Sequence, residues 1–262
     1  MLAREHIGSA YDSIGFESWL EPPQPVLTLM ISLEDPLRTE RGVLPRAWIA
    51  GLDDRPEVVA SGGRHTELDL KLTPVGAYVL CGIPLQELSR QIVPLEEIFG
   101  RRAKHLPERL AGTSDWDSRF KLVERLLLGH PAGNRAPDPV VVEAHSRLLA
   151  ADGRLRIGRL AADLQVSRRH LSTRFHAQLG VPPKTMARLL RFDLVRRQMA
   201  RHRHNWADVA ALCGFADQSH LNREFRELAG TTPESFLARQ LPSGGTLGDG
   251  ITFLQDEADG ST

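Results

Sequence analysis

Residues 213–236 read CGFADQSHLNREFRELAGTTPESF, and they carry the strongest fold signal of the C-terminal half of the chain. Gly214 allows the left-handed backbone that ends a helix, and Asp217 stands where the N-cap of the next helix belongs. Leu221 and Phe225 recur at helical spacing and give that second helix a buried face. The stretch therefore predicts two helices joined by a tight turn, which is a helix-turn-helix.

The other face of the second helix is polar. Its side chains can donate to or accept from base edges and phosphates, and they are Gln218, Ser219, Asn222, Arg223 and Arg226. Gly230 closes the helix, and Thr232 and Pro233 begin the next one as its N-cap and first residue. One apolar anchoring face and one such polar face are typical of a helix that reads DNA.

The same pattern occurs once more, earlier in the chain. Apolar anchors and helix terminators recur at a constant offset of fifty positions: Leu171, Phe175, Gly180 and Pro183 precede Leu221, Phe225, Gly230 and Pro233. Before the turn the offset is forty-nine, so the second turn contains one extra residue. Two copies that share their apolar skeleton but not their exposed residues predict a tandem pair of helix-turn-helix units.

This pair of units resembles the DNA-binding domain of AraC/XylS-type transcription regulators. The resemblance covers about 100 residues, 138–240, and rests on the motif GF-x-D-x-S-H-L-x-R-x-F-x-x-x-x-G-x-x-P-x-x-F, with its sibling fifty residues earlier. It implies a seven-helix domain that contains one recognition helix in each unit. It also implies double-stranded DNA and RNA polymerase as partners.

In this family the exposed positions of each recognition helix contact bases. Carried over residue by residue, the base-contact candidates are Arg169, Ser172 and Thr173 in the first helix and Gln218, Ser219, Asn222 and Arg223 in the second. By side-chain chemistry, Arg223 can pair bidentately with guanine, and Gln218 or Asn222 with adenine. The remaining cations are candidates for phosphate contacts or for solvated surface: Arg168, Arg174, Lys184, Arg188, Arg191, Arg201 and Arg226.

A long helix is predicted between the units, from Lys184 to about Arg201, because apolar residues keep helical spacing there without Gly or Pro. At 1.5 Å per residue it would be roughly 26 Å long. A stiff spacer of that order can hold two recognition helices in successive major grooves, about 34 Å apart on one face of a duplex. One chain would then read two adjacent half-sites.

The charge of the chain is segregated, although 33 basic and 33 acidic residues sum to zero. Residues 154–204 hold thirteen Lys or Arg against Asp163 and Asp193, a net charge of +11, as expected for a polyanion partner. Residues 205–240 hold three arginines against five acids, net −2. We hypothesise that the first unit supplies salt-sensitive affinity and the second supplies discrimination, so that removing the charges of Arg188 and Arg191 flattens the salt dependence.

Residues 1–72 read as mostly extended. Short apolar or alternating runs at 26–31, 47–52 and 66–72 are bounded by Pro and Gly, which favours a small antiparallel sheet or barrel. From Thr73, an N-cap followed by Pro predicts a short helix that ends near Gly82. Further helical pieces are predicted at 85–90, 95–99 and 116–128.

Such an order resembles the sensing and dimerisation domain that regulators of this type place before their DNA-binding part. The run LKLTPVGAYVLCGIPLQELSRQIVPLEEIFG, residues 70–100, is similar to a subgroup of these domains. The predicted fold is therefore α+β: a strand-rich N-terminal domain with helices, then an all-α domain of two helix-turn-helix units joined by a long helix. We divide the chain into a sensing or dimerisation domain (1–130), a linker (131–138), the DNA-binding domain (139–240) and an acidic flexible tail (241–262), in which 251–254 could add a short strand.

Two features of the N-terminal half allow a ligand but are more simply structural. Gly62, Gly63, Arg64 and His65 predict a polar turn that could meet an anion, although such a turn usually only joins strands. Trp19 and Trp48 could stack on a ligand inside a barrel, but buried aromatic residues are far more often core. A small-molecule effector and a homodimer are left open.

Enzyme motifs are missing from the sequence. The four N-terminal histidines are too scattered for a metal site, and no G-x-S-x-G, P-loop or G-x-G-x-x-G occurs. We expect no catalytic residue, no metal and no cofactor. The enzyme alternative is a DNA-repair alkyl transferase, which carries a similar DNA-binding domain but needs a reactive metal-bound cysteine; Cys81 stands alone, and Cys213 adjoins the second turn.

No signal peptide and no stretch of 18 apolar residues occurs, so we expect a soluble cytoplasmic protein without membrane contact. The two distant cysteines predict no disulfide framework. A transcription regulator that recruits or excludes RNA polymerase, as an activator or a repressor, is the function that the resemblance implies. The second alternative is a DNA-binding regulator controlled by a protein partner instead of a small molecule.

Overall fold

A computed structural model of the 262-residue chain describes residues 3–131, 135–199, 205–240 and 252–253; at 3–19, 61–65, 238–240 and 252–253 it describes the backbone alone. The described residues form an antiparallel sheet and short helices, followed by a helical region. The predicted α+β class is confirmed. No helix in these ranges is long and apolar enough to cross a membrane.

In the part of the chain that the structure describes, eight strands form the sheet: β1 (Ala3–Glu21), β2 (Leu27–Ser32), β3 (Arg38–Thr39), β4 (Gly42–Val43), β5 (Ala47–Ala50), β6 (Glu57–Leu72), β7 (Ile92–Pro94) and β8 (Thr252–Phe253). Their order is β4-β3-β6-β2-β5-β7, with β1 antiparallel to β6 from Glu21 opposite Glu57 to Ala3 opposite Leu72. The three predicted extended runs coincide with β2, β5 and the end of β6. This part of the sequence prediction is confirmed.

The predicted turn at 62–65 is wrong. These residues lie inside β6, where Gly62 and Gly63 pair with Phe16 and Ser13 of β1. The register of the two strands shifts at this point, between Ser13 and Phe16. Glycine inside a strand often marks such an irregularity, and here it accommodates extra residues of the partner strand.

Short helices follow the sheet: α1 (Pro74–Cys81), a 3-10 helix (Leu85–Leu88), α2 (Leu95–Phe99), α3 (Arg101–Lys104), α4 (Leu106–Ala111) and α5 (Trp116–Leu128). The Thr73 hydroxyl accepts a hydrogen bond from the Gly76 amide at 3.0 Å, and Gly82 ends α1 with a φ of 68°. The N-cap and the end predicted for α1 are therefore confirmed. The strands β3, β4 and β7 and the helices α3 and α4 were not predicted.

The sheet has two apolar faces. Leu29 and Leu68 on one face are fully buried against the helices. On the other face, Trp48 packs with Met30, Val59, Leu37 and Leu44 in a separate cluster. Trp48 is 7% exposed, so its interpretation as a core residue is confirmed. The side chain of Trp19 lies outside the described residues.

Within the described residues after 134, the C-terminal region has seven helices: α6 (Pro139–Ala150), α7 (Ile157–Asp163), α8 (Arg168–Leu179), α9 (Pro183–Met199), α10 (Trp206–Leu212), α11 (Gln218–Ala229) and α12 (Pro233–Gln240). This is the number that the resemblance implies. The predicted connecting helix is α9, which is described as far as Met199.

The first helix-turn-helix unit shares its core with the strand-rich half. Leu171 and Phe175 of α8 belong to the same buried cluster as Leu85 of the 3-10 helix. The Ser89 hydroxyl donates to the Gly180 carbonyl, and a Cβ on Gly180 would lie 2.9 Å from the Leu85 carbonyl oxygen. The 3-10 helix and α1 therefore cover the end and the apolar side of α8.

The second unit has a core of its own, built on α9 to α12. The rings of Phe192 and Phe225 lie 4.8 Å apart, and that of Phe236 lies 5.5 Å from Phe225. A linker at 131–138 stays a prediction, since 132–134 lie outside the described residues. So does the acidic tail, apart from Thr252–Phe253, which pairs with β1.

Candidate nucleic-acid interface

The turns of the two units have the same backbone geometry. The Val166 amide donates to the Ala161 carbonyl at 3.0 Å, and the Phe215 amide donates to the Ala210 carbonyl at 2.9 Å. The second turn holds one more residue before its N-cap, Ala216, as the change of offset predicts. The repeat in the sequence is therefore a repeat in structure.

Both recognition helices, α8 and α11, are twelve residues long and begin and end alike. The Ser167 hydroxyl accepts from the His170 amide at 3.1 Å, and the Asp217 carboxylate accepts from the His220 amide at 2.7 Å. Left-handed glycines end α8 and α11, with φ values of 84° and 68°. The caps predicted from the sequence are confirmed.

Anchoring leaves one face of each recognition helix outside the core. Leu171 and Phe175 are 0% exposed, and their counterparts Leu221 and Phe225 are 0% and 2% exposed. Among the base-contact candidates, five are exposed and two are half-buried. The exposed ones are Arg169, Thr173, Gln218, Ser219 and Arg223, and the half-buried ones are Ser172 and Asn222.

A shallow cleft of about 310 Å³ opens at the start of α8. Arg169 and Thr173, predicted to contact bases, line it together with Arg174 and His170. The positive end of the helix dipole adds to the charge of the two arginines, which makes the cleft suitable for a phosphate. For His170, which precedes the anchoring Leu171, the sequence predicts a packed position or a phosphate contact, and it lies in this group.

Arg168, Lys184 and Arg226 are exposed, as a phosphate contact requires. Arg174 is also exposed and lies 3.7 Å from Asp138, the N-cap of α6. Arg201 lies outside the described residues.

Arg188 and Arg191 have a different environment from the other candidates. Their side chains are only 18% and 19% exposed and pair with Glu224 of α11, at 3.7 Å and 3.3 Å. Arg188 also lies 2.7 Å from Glu227. A phosphate could reach these guanidinium groups only by displacing carboxylates, so the arrangement does not support the predicted phosphate contacts.

These ion pairs change the electrostatic comparison of the two units. Glu224 and Glu227 account for two of the five acids in residues 205–240, and both are neutralised by α9. Asp217 is occupied as an N-cap. The exposed face of α11 therefore presents Arg223 and Arg226. The net charge of −2 for residues 205–240 does not describe this face, which is positive.

Neither cysteine is a reactive thiolate. Burial raises the pKa of the Cys81 thiol to about 12 and that of the Cys213 thiol to about 11. Only the thiolate is a strong nucleophile or metal ligand, so both groups are inert near neutral pH. In the described ranges, no group of three or more His, Cys, Asp or Glu side chains is placed to hold a metal ion.

The comparison with protein families decides the nature of this region. A model described as "Helix-turn-helix domain" matches residues 160–239, which contain both turns and both recognition helices. Residues 160–239 belong to the AraC-type helix-turn-helix family. The AraC-type domain is a DNA-binding module.

A curated relative of the AraC-type domain is the "Probable transcriptional regulator LumQ" of Photobacterium leiognathi, 34% identical over 62 residues. The match covers 24% of this chain and spans about a quarter, 25%, of the relative. ToxT from Vibrio cholerae is similar in structure: it is 12% identical, with a TM-score of 0.51 over 89% of this chain and 98% of ToxT. ToxT bound to (E)-4-(8-methylnaphthalen-1-yl)but-3-enoic acid gives the same values. At this identity the likeness shows the fold, a strand-rich part followed by the AraC-type domain.

Proposed function

We propose that the protein is a transcription regulator that binds DNA sequence-specifically and reads two adjacent major grooves with α8 and α11. The observation that carries this proposal is the structural repeat. Two turns with the same hydrogen bonds and caps present two recognition helices whose exposed faces differ in sequence. Two such helices on one chain suit an asymmetric site made of two short boxes.

The connecting helix supports the spacing that this mode of binding needs. With 17 residues, α9 is about 25 Å long. Successive major grooves on one face of a duplex are about 34 Å apart, a distance that two helices projecting from the ends of such a spacer can span.

We assign roles by exposure and chemistry. Arg169, Ser172 and Thr173 read the first box, and Gln218, Ser219, Asn222 and Arg223 read the second. Arg168, Arg174, Lys184 and Arg226 hold phosphates, with the cleft at the start of α8 as one phosphate seat. We remove Arg188 and Arg191 from the phosphate set because their partners are Glu224 and Glu227.

The test is selection of the full chain on a random duplex pool at moderate salt, followed by sequencing of the retained DNA. We expect two short boxes about one helical turn apart. The matched control is a variant with Arg169→Ala and Arg223→Ala, both exposed positions whose loss leaves the core intact. Retention of DNA without any enriched pattern in the parent chain would reject sequence-specific reading.

We further propose that the strand-rich half controls this binding in response to a small molecule. The support is the shared fold with ToxT, which has been solved with an apolar carboxylic acid bound. Recruitment of RNA polymerase and a homodimer complete the proposed regulator. A protein partner in place of the small molecule is the second candidate.

Thermal unfolding of the full chain with a panel of apolar carboxylic acids separates these candidates. A saturable rise in melting temperature favours a small-molecule effector, because a ligand that binds the folded state stabilises it by mass action. The matched control for each acid is the hydrocarbon with the same carbon skeleton but without the carboxyl group. No shift with any member of the panel would turn the search towards a protein partner.

A further inference from the structure

The two helix-turn-helix units are attached to the rest of the molecule in different ways. The first unit is fixed to the strand-rich half through the shared core and the contact of Ser89 with Gly180. The second unit has a separate core and is joined to the first by α9. Its orientation therefore depends on the contacts of α9, which include the packing of Phe192 on Phe225 and the ion pairs of Arg188 and Arg191.

Arg188 contacts the strand-rich half and the second recognition helix at the same time. Its Nη1 lies 3.7 Å from Asp54 in the loop between β5 and β6. Its Nη2 lies 2.7 Å from Glu227, and its Nε lies 3.7 Å from Glu224, both on α11. Three carboxylates from two separate parts of the chain thus converge on the guanidinium group of one arginine, whose side chain is 18% exposed.

Arg191 connects the two helix-turn-helix units directly. Its Nη1 donates to the Gly153 carbonyl at 3.2 Å, in the turn between α6 and α7. Its Nη2 lies 3.3 Å from Glu224, and its guanidinium carbon lies 5.5 Å from the centre of the Phe215 ring, over the second turn. Glu224 is therefore held between Arg188 and Arg191.

Asp54 is shared as well. Its other partner is Arg90, at 2.8 Å, a residue of the strand-rich half with a left-handed φ of 58°. A row of alternating charges thus runs from Arg90 through Asp54, Arg188 and Glu224 to Arg191. The pairs of Arg188 and Arg191 with Glu224, whose side chains are 18–19% exposed, are screened less than surface pairs. Removing one member leaves its partners uncompensated.

We propose that Arg188 is a positioning residue through which the strand-rich half sets the orientation of α11 relative to α8. A change at Asp54 or Arg90 then alters how the second recognition helix is held, without any change to a DNA-contacting side chain. The consequence for DNA binding rests on the proposed function, whereas the consequence for the geometry of the protein does not.

The geometry is tested without DNA by measuring the distance between spin labels on the two units. Ala162→Cys on α7 and Ala211→Cys on α10 place labels at exposed, equivalent positions of the repeat. Cys81 and Cys213 are 0% exposed and stay unlabelled. We expect one narrow distance distribution for the full chain.

Three further variants are compared in this background: Arg188→Gln, Arg188→Lys and Asp54→Asn. We expect Arg188→Gln to broaden the distribution most and Arg188→Lys to restore it partly, because an ammonium keeps the charge but loses the planar fork. The control is Arg147→Gln, which removes an equal charge from an exposed ion pair with Glu143 on α6 and should change nothing. A distribution that stays narrow in both Arg188→Gln and Asp54→Asn overturns the proposal, whatever the protein does with DNA.

Asp54→Asn is the decisive variant for DNA binding. Asp54 is a carboxylate and cannot hold a phosphate, so its removal deletes no phosphate contact. The measured quantity is the ratio of affinities for DNA with the selected spacing of the two boxes and for DNA with that spacing changed by two base pairs. We expect Asp54→Asn to lower this ratio roughly fivefold or more, which is the lower end of coupling between sites. A uniform gain in affinity at all spacings would mean that Asp54 acts only through its charge.

Broadened distances in a protein that enriches no DNA sequence would reject the proposed function and leave the positioning role standing.

Discussion

Gln165 and Gly214 occupy the same position in the two turns, and both have a left-handed backbone, with φ values of 55° and 78°. Glycine adopts this conformation without a steric penalty, whereas a side chain costs about 1–2 kcal/mol there. The first turn therefore stores strain that the second turn avoids.

Replacing Gln165 with glycine should raise the free energy of unfolding by up to about 1 kcal/mol, because the relief of strain exceeds the added chain entropy of glycine. The reverse change, Gly214→Ala, should lower it by about 1–2 kcal/mol, and the new Cβ would lie 3.0 Å from Cγ of Arg154. Denaturant unfolding of both variants measures the two values. If Gln165→Gly and Gly214→Ala changed the free energy of unfolding in the same direction and by the same amount, the two turns would not be equivalent.

Phe225→Ala should unfold the second unit selectively. The ring is 2% exposed between Phe192 and Phe236, and truncating such a side chain costs about 3–5 kcal/mol. Because this core is separate, hydrogen exchange should accelerate in α10 to α12 while the strand-rich half stays protected.

The equivalent change in the first unit, Phe175→Ala, is the matched comparison. Its ring is 0% exposed in a core that extends from β2 to α9, so exchange should accelerate on both sides of the predicted linker. Identical exchange patterns for the two variants would show that the cores are not independent.

The buried thiols provide a prediction about pH. The pKa of Cys81 is raised from 9.0 to about 12, so folding favours the neutral thiol. Its contribution to stability is complete below pH 9 and is lost as the pH rises towards 12, by about 1.4 kcal/mol per pH unit within that window. Wild type should therefore lose stability more steeply than Cys81→Ala between pH 9 and 11. Parallel curves for the two proteins would mean that the thiol is not kept neutral by folding.

Arg223 and Arg226 lie on the same exposed face of α11 but should differ in their effect on DNA binding. Arg223→Ala should cost about 1–3 kcal/mol at the selected site and relax the preference at one base pair. Arg226→Ala should weaken all sequences alike and reduce the slope of log affinity against log salt by about 1. Binding isotherms over a salt series and a set of single-base changes distinguish the two variants. If Arg226→Ala relaxed the base preference and Arg223→Ala only reduced the salt slope, Arg226 would be the base contact and Arg223 the phosphate contact.

The sequence predicted the features that depend on neighbouring residues. Ser167, Asp217, Gly180 and Gly230 determine the ends of the recognition helices through bonds to residues within four positions, and these bonds are present. Burial of Leu171 and Phe225 followed from helical spacing. Local chemistry was sufficient for both units.

Features that join distant residues were not predictable in the same way. The charge of Arg188 predicts a phosphate contact, because the sequence does not show where its partners lie. They are Glu224 and Glu227, 36 and 39 positions later on another helix. Gly62 and Gly63 by themselves predict a turn, and only the register of β1 against β6 shows that the strand continues through them. Pairing over long separations decides both cases.

The seat of α8 on the 3-10 helix has a consequence for how such proteins can be recombined. Leu171, Phe175 and Leu179 are covered in part by Leu85 and Leu88, which come from the other half of the chain. Grafting residues 139–240 behind a foreign N-terminal half would leave that apolar side without its cover unless the graft also carried residues 85–89. The DNA-reading part is therefore not an interchangeable cassette, and a mutation in the strand-rich half must remain compatible with a helix that lies more than eighty positions away.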